Sequence, residues 1–111
     1  MYMAVYVDAE GILWRNRLWC HMVADSLDEL HTFARQLGLR RQWFQDQGSY
    51  PHYDVTLHVR EQALRLGAID ADRPTMISRC KALKSELAVV QCEFLFVLQK
   101  DSEVSNDFSK A

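Results

Sequence analysis

The sequence predicts a single small α/β domain of the α+β type, in which helices pack on one short sheet. The chain has 111 residues, enough for one hydrophobic core and too few for two independent ones. Short β-branched and aromatic runs alternate with segments of helical period, which is typical of a sheet covered by helices. We expect one domain over residues 1–100, with elements in the rough order β-β-α-β-α-α-β, and a flexible tail over 101–111.

The first two strands are predicted in the N-terminal quarter of the chain. Met3 to Asp8 is β-branched and aromatic and ends at a carboxylate. Glu10-Gly11 breaks this run, and the mixed residues from Ile12 to Arg17 predict a loop or a short irregular turn. Leu18 to Ala24 is predicted as the second strand, with alternating side chains on its two faces.

A capping box and a glycine mark the two ends of the first helix. Ser26 and Glu29 have the spacing at which each side chain satisfies a free amide of the first turn. An apolar stripe follows, and Gly38 is placed to end the helix. Leu39 to Gln45 is then predicted to return as a strand, and Asp46 to Pro51 to form a loop.

The second helix is predicted over Thr56 to Leu66. Asp54 or Thr56 can cap it, and Gly67 can end it. Ala68-Ile69 begins another short strand.

The C-terminal third is predicted to contain a helix and an apolar strand over 72–99. Asp72 to Pro74 has the composition of a helix start. Val89 to Leu98 fits either a strand or a continued helix, and the alternation of Phe94 and Phe96 favours a strand. The apolar stretch 87–98 also predicts a homo-oligomer, because a short chain must cover it. A monomer in light scattering would instead indicate an internal strand.

The composition of the chain argues against several classes of protein. The net charge of −2 argues against a protein that coats nucleic acid, which would need many Lys and Arg side chains. Three cysteines at wide spacing suggest neither a zinc knuckle nor a redox dithiol. The N-terminus lacks a signal-peptide pattern, and no apolar run is long enough to cross a membrane. We expect a cytoplasmic protein with reduced thiols.

Three histidines and two aspartates point to one region of the predicted fold. His21 lies within an apolar strand that ends at Asp25, and His31 falls on the apolar stripe of the first helix. His52 and Asp54 flank a tyrosine where a loop meets a helix. Imidazoles on inward surfaces need hydrogen-bond partners. We expect His21, His31, His52 and Asp54 to share one cavity, with local satisfaction of each histidine as the structural alternative.

Three chemistries fit such a cluster. Neutral imidazoles and a carboxylate suit zinc or manganese, although the helical i, i+4 zinc motif is absent. General acid–base catalysis could pair His21 or His52 with an aspartate. The third possibility is ligand binding without catalysis, in which His and Arg hold a phosphate or carboxylate while Trp or Tyr stacks on a base. The predicted ligand-binding residues are His21, Asp25, His31, Trp43, His52, Tyr53, Asp54 and Arg60.

Several short motifs occur together over about residues 3–69. They are Ala4-Val5-Tyr6-Val7-Asp8, Trp19-Cys20-His21, Ala24-Asp25, Glu29-Leu30-His31, Leu37-Gly38-Leu39, Trp43-Phe44-Gln45, His52-Tyr53-Asp54, Ala63-Leu64 and Gly67-Ala68. With these motifs the chain resembles the domain-of-unknown-function family 4031, small bacterial and phage proteins with no established activity, and the segment from Asp72 onward lies outside the resemblance. The family usually begins its second helix with Thr-Pro and basic residues, whereas here Leu57 follows Thr56, and Arg60 keeps one basic position. If a phage encodes the chain, the expected location is the host cytoplasm.

Three functions follow as hypotheses from these residues and this resemblance. The first is a phage-type accessory protein that binds a small nucleotide-like ligand, with counter-defence as its setting. The second is a metal-dependent hydrolase or phosphodiesterase that uses the His/Asp cluster. The third is a protein-binding inhibitor whose polar network is structural. No cofactor is predicted, and a divalent metal is left open. Elemental analysis, a nucleotide panel and a phosphoester screen separate the three.

Overall fold

The α+β fold class is confirmed by a computed structural model, which describes residues 4–46 and 50–104. Within these residues, three α-helices pack on a five-stranded mixed sheet. The elements are β1 Val5–Val7, β2 Ile12–Trp14, β3 Arg17–Ala24, α1 Leu27–Gln36, a 3₁₀ turn Arg41–Trp43, β4 Tyr53–Thr56, α2 Leu57–Arg65, β5 Ile69–Asp70 and α3 Arg73–Val104.

Strand β3 is the centre of the sheet. Its residue Met22 pairs with Val7 of β1 and with Tyr53 of β4, so these two strands lie on opposite sides of it. The pairing is antiparallel in both cases, whereas β5 runs parallel to β1.

The two faces of the sheet carry chemically different side chains. Directly paired residues on neighbouring strands point to the same face, so the register shows which side chains lie together. Val7, Met22 and Tyr53 form a row of almost fully buried side chains on one face, here called the core face. The neighbouring row pairs His21 with Asp54 on the other face, here called the site face. Helix α1 lies on the core face, where it reaches Tyr53. Helix α3 lies over the site face.

The prediction of a loop or short irregular turn from Ile12 to Arg17 is wrong, because the segment forms a regular hairpin with β3. Residues Ile12–Trp14 form β2, which is joined to β3 by a two-residue turn at Arg15 and Asn16. Both turn residues have positive φ, 50° and 63°, as tight hairpins with the right-handed strand twist require. The Asn-Gly dipeptide that usually indicates such a hairpin turn is absent, because the two turn residues are Arg15 and Asn16.

The start of α1 confirms half of the predicted capping box. Ser26 Oγ accepts a hydrogen bond from the Glu29 backbone amide at 3.2 Å. The Glu29 carboxylate does not complete the box, since its buried Oε1 has no hydrogen-bond partner among the described residues. The amide of Leu27 is instead satisfied by Glu86 of α3 at 2.8 Å, which ties α1 to α3.

The strand predicted over Leu39 to Gln45 is also wrong. Its polar, basic residues form the 3₁₀ turn, with the Phe44 amide donating to the Arg41 carbonyl at 3.0 Å. Only Gln45 makes a β-bridge there, to His52. The true strand is β4, which begins at Tyr53, so Asp54 lies in a strand and Thr56 is the helix cap, accepting from the Val59 amide. Residues 47–49 of the predicted loop Asp46 to Pro51 lie outside the described residues.

Helix α3 corrects the predicted C-terminal strand. The helix begins after Asp72, whose carboxylate accepts from the Thr75 amide, and it continues through 89–98 to Val104. No glycine or proline follows Pro74 in the sequence, so nothing breaks the backbone hydrogen bonding of the helix. Of the predicted tail, residues 101–104 are helical and residues 105–111 lie outside the described residues.

Candidate functional site

His21 is held by an acidic residue at the end of β1. The strand pairing of β1 and β2 with β3 is interrupted between Val7 and Ile12, and Asp8 fills the gap. Its Oδ1 accepts from the His21 backbone amide at 2.8 Å, and its Oδ2 lies 2.7 Å from His21 Nδ1. One carboxylate thus replaces a ladder bond and orients the ring, so Nε2 remains for another ligand.

His52 is oriented in a similar way, by a backbone carbonyl. Its Nδ1 lies 2.7 Å from the carbonyl oxygen of Tyr50. Its Nε2 lies 3.2 Å from Asp54 Oδ1, and Gln45 donates a hydrogen bond to the other oxygen of that carboxylate. Alternation along this segment places both side chains on the site face.

Three possible metal ligands converge at this point. One ligand atom each from His21, His52 and Asp54 lie within 4.8 Å of one another, and the two imidazole rings meet edge to face at 5.1 Å. Asp8 and Glu10 form an overlapping group around His21. Because metal-binding imidazoles typically donate their other ring N–H to a carboxylate or carbonyl, Asp8 and the Tyr50 carbonyl are the supports that such a site requires.

The cluster opens into a cavity of about 420 Å³ between the sheet and α3. This volume lies within the range of about 300–1,000 Å³ that is usual for small-molecule sites. One wall carries Asp8, His21 and His52, and the opposite wall is supplied by α3 through Met76 and Cys80.

The titration of the cluster reflects its burial and its hydrogen bonds. Burial lowers the pKa of His52, but its hydrogen bonds to Asp54 and to the Tyr50 carbonyl outweigh this effect, and the net pKa is raised. Burial raises the pKa of Asp54, but hydrogen bonds from His52 and Gln45 outweigh it, and the net pKa is lowered. Both ring nitrogens of His52 face acceptors, which favours the doubly protonated ring over the neutral one.

Arg60 supports the site from behind rather than lining its cavity. Its Nε donates to the backbone carbonyl of Asp8 at 2.7 Å, and its Nη2 lies 3.0 Å from Asp70 of β5. The guanidinium therefore fixes the end of β1 from which Asp8 reaches His21.

His31 does not join the cluster. Helix α1 places it on the core face, where its Nδ1 lies 2.8 Å from the Tyr53 hydroxyl and its ring meets Phe44 edge to face at 4.6 Å. Burial, helped by the nearby Arg41 charge, lowers the pKa of His31 to about 4. The expectation of one cavity holding all three histidines is thus wrong for His31, because α1 covers the opposite face of the sheet.

A His31→Gln variant is expected to weaken the dependence of stability on acid. With a folded pKa of about 4 against 6.5 in the unfolded chain, the unfolded state binds more protons between these values. His31 therefore contributes stability that is complete above pH 6.5 and is lost as pH falls towards 4. Urea unfolding at both ends of this window should show a smaller loss for His31→Gln than for the unsubstituted protein. His58→Gln, on an exposed part of α2, is the control, and equal losses in all three proteins would contradict the assignment.

The other predicted site residues are dispersed. Asp25 follows β3 and accepts hydrogen bonds from the Tyr6 hydroxyl at 3.0 Å and Arg79 at 3.1 Å. Tyr53 is 1% exposed on the core face. Trp43 is half exposed and lines a different cavity.

Sequence reasoning missed Asp8 and Glu10 as site residues. The available signal was a strand that ends in a carboxylate, with a second carboxylate two residues later. What was missing was the break in strand pairing, which turns the Asp8 side chain towards His21.

Fold and site together define a small α+β protein with a His/Asp cluster beside an open cavity. The chain belongs to the family described as protein of unknown function (DUF4031), whose model matches residues 5–83. The match extends beyond the predicted limit at residue 69 and includes the first part of α3. No curated protein and no solved structure matches the chain. Within the described residues, no helix has the length and apolar character needed to cross a membrane.

Proposed function

We propose that this protein is a metal-dependent hydrolase of small phosphoesters that holds one divalent ion with His21, His52 and Asp54. The observation that carries the proposal is the support of both imidazoles at Nδ1, by the Asp8 carboxylate and by the Tyr50 carbonyl. Such support fixes the tautomer in which Nε2 can present its lone pair to a metal, and at His52 the metal would replace the Nε2 contact with Asp54.

The charge of the cluster favours a cation over a bare anionic ligand. The carboxylates of Asp8, Glu10 and Asp54 surround the two imidazoles, and they would repel a phosphate that approached without a metal. Two imidazoles and one carboxylate form a ligand set that suits zinc with an open fourth position, and manganese also accepts it.

Bound there, a divalent ion would supply Lewis acidity and a water activated near neutral pH. Asp8 would hold the His21 ring in register. Glu10 has a partly exposed carboxylate that ion-pairs with Arg73 at 3.3 Å on the cavity wall. We assign Glu10 as the group that accepts a proton from the attacking water and Arg73 as the group that holds an anionic oxygen of the substrate.

The test is a calorimetric titration of chelator-treated protein with zinc, manganese and magnesium, repeated in buffers of different ionisation enthalpy. We expect one ion per chain and release of protons on binding, because a ligating nitrogen must be deprotonated to coordinate a metal. Phosphomonoester and phosphodiester substrates are then assayed with the metal and with chelator. Absence of metal binding would overturn the proposal, and so would turnover that persists in chelator.

Binding of a nucleotide-like ligand without turnover is the second candidate function. Calorimetric detection of specific nucleotide binding, with no hydrolysis of the nucleotide in the presence of metal, would favour it.

The phage setting, the counter-defence role and the host cytoplasm stay predictions. Self-association through 87–98 also stays a prediction, now of a helix, with Val89 and Val90 57% and 47% exposed on α3.

A further inference from the structure

A second cavity, of about 620 Å³, lies beyond Asp54. All three tryptophans of the chain line it: Trp14 from β2, Trp19 from β3 and Trp43 from the 3₁₀ turn. Trp14 is 56% exposed and Trp43 is 51% exposed. Exposed apolar side chains that cluster around one cavity are typical of a ligand-binding or partner-binding surface.

Two of the three indoles form a fixed corner. The rings of Trp14 and Trp19 meet edge to face at 6.0 Å, and Trp19 Nε1 donates to the Trp14 carbonyl at 2.9 Å. The hairpin turn that joins their strands keeps this corner in place, so the cavity presents preformed aromatic surfaces.

The surroundings of the tryptophan cavity are basic, in contrast to the acidic His/Asp cluster. Arg17 lines the cavity. The Arg15 guanidinium lies 4.5 Å from the Trp14 ring centroid, and that of Arg40 lies 5.8 Å from the centroid of Trp43. Among the lining residues Asp54 is the sole acid, and its carboxylate is engaged by His52 and Gln45.

We infer that this cavity binds a mononucleotide, with its base stacked on Trp14 and Trp43 and its phosphate held by Arg17. Aromatic walls recognise the π-face of any base, and neighbouring guanidinium groups suit a phosphate. Polar groups on the wall, from Gln42, Gln45 and Thr56, can donate to and accept from the edge of a base. This site is distinct from the proposed metal site and does not require a metal, although Asp54 contributes to both.

The experiment is a titration of chelator-treated protein with AMP, GMP, CMP and UMP, followed by tryptophan fluorescence and calorimetry. We expect nucleotide binding without metal, weaker binding of adenosine, and the weakest binding of ribose 5-phosphate. Trp43→Ala and Trp14→Ala should each weaken AMP binding by about fivefold or more, because stacking on one aromatic side chain contributes about 1–3 kcal/mol. Arg17→Gln should weaken the binding of AMP and leave the affinity for adenosine, which has no phosphate, unchanged.

Leu66→Ala, an exposed apolar side chain near the end of α2, is the control and should bind as the unsubstituted protein does. Circular dichroism of each variant checks folding, and both tryptophans are exposed enough to be truncated without a core cavity. Absence of nucleotide binding would overturn the proposal. AMP affinity in both tryptophan variants equal to that of the unsubstituted protein would also overturn it, as would binding of an oligonucleotide alone. Because every titration is made without metal, this proposal and the hydrolase proposal can fail separately.

Discussion

A His52→Ala variant is expected to lose divalent-metal binding almost completely. His52 would be a ligand itself, so the loss should exceed the factor of about 10–100 that removal of a hydrogen-bonding partner behind a ligand costs. Asp8→Asn tests that smaller factor, because an amide keeps the shape of the side chain but donates or accepts differently towards His21 Nδ1. Competition with a chromophoric chelator measures both affinities.

The matched control is His31→Ala, which removes an imidazole from the opposite face of the sheet. It should lower stability, since a part-buried hydrogen bond with Tyr53 is broken, and leave the metal affinity of the folded protein unchanged. If His52→Ala bound zinc as tightly as the unsubstituted protein, His52 would not be a ligand. If His31→Ala lost the metal as well, the division of the histidines between two faces would be wrong.

Elements with strong local signals were predictable from sequence. Helix α1 follows from its cap at Ser26 and its end at Gly38, which adopts φ of 83°. Helix α2 follows from Thr56 and Gly67 in the same way. The start of α3 follows from Asp72. Strand β2 and the continuation of α3 beyond Leu87 lacked such signals, because an Arg-Asn turn replaces Asn-Gly and no helix breaker separates Leu87 from Leu98.

The candidate site was predictable in part, because alternation along strands decides which side chains share a face. His21 and Asp54 are opposite each other in β3 and β4, and both were predicted to be close. The sequence pattern of α1 shows that His31 faces the sheet, but not which face of the sheet. That choice depends on the packing of Leu30 and Ala34 of α1 against the core face of the sheet, which is tertiary information.

Leu83→Ala is expected to destabilise the fold by about 2–5 kcal/mol, the cost of truncating a buried leucine. Leu83 is fully buried on α3, on the stripe with Met76 and Cys80 that helical spacing places towards the sheet. An alanine there leaves a cavity between α3 and the site face. Leu66→Ala is the control, since Leu66 is 54% exposed, and it should change the unfolding free energy by less than about 0.5 kcal/mol. Urea unfolding of both variants measures the difference.

The Leu83→Ala variant should separate the contribution of α3 to stability from the contribution of the sheet residues to metal binding. Helix α3 supplies the outer wall of the 420 Å³ cavity. The proposed metal ligands lie instead in β3 (His21), in β4 (Asp54) and directly before β4 (His52). Leu83→Ala should therefore bind zinc with nearly unchanged affinity wherever it is folded, although substrate turnover should fall as the wall loosens. A loss of stability below about 0.5 kcal/mol would mean that α3 does not pack on the sheet, and the cavity would then have no outer wall.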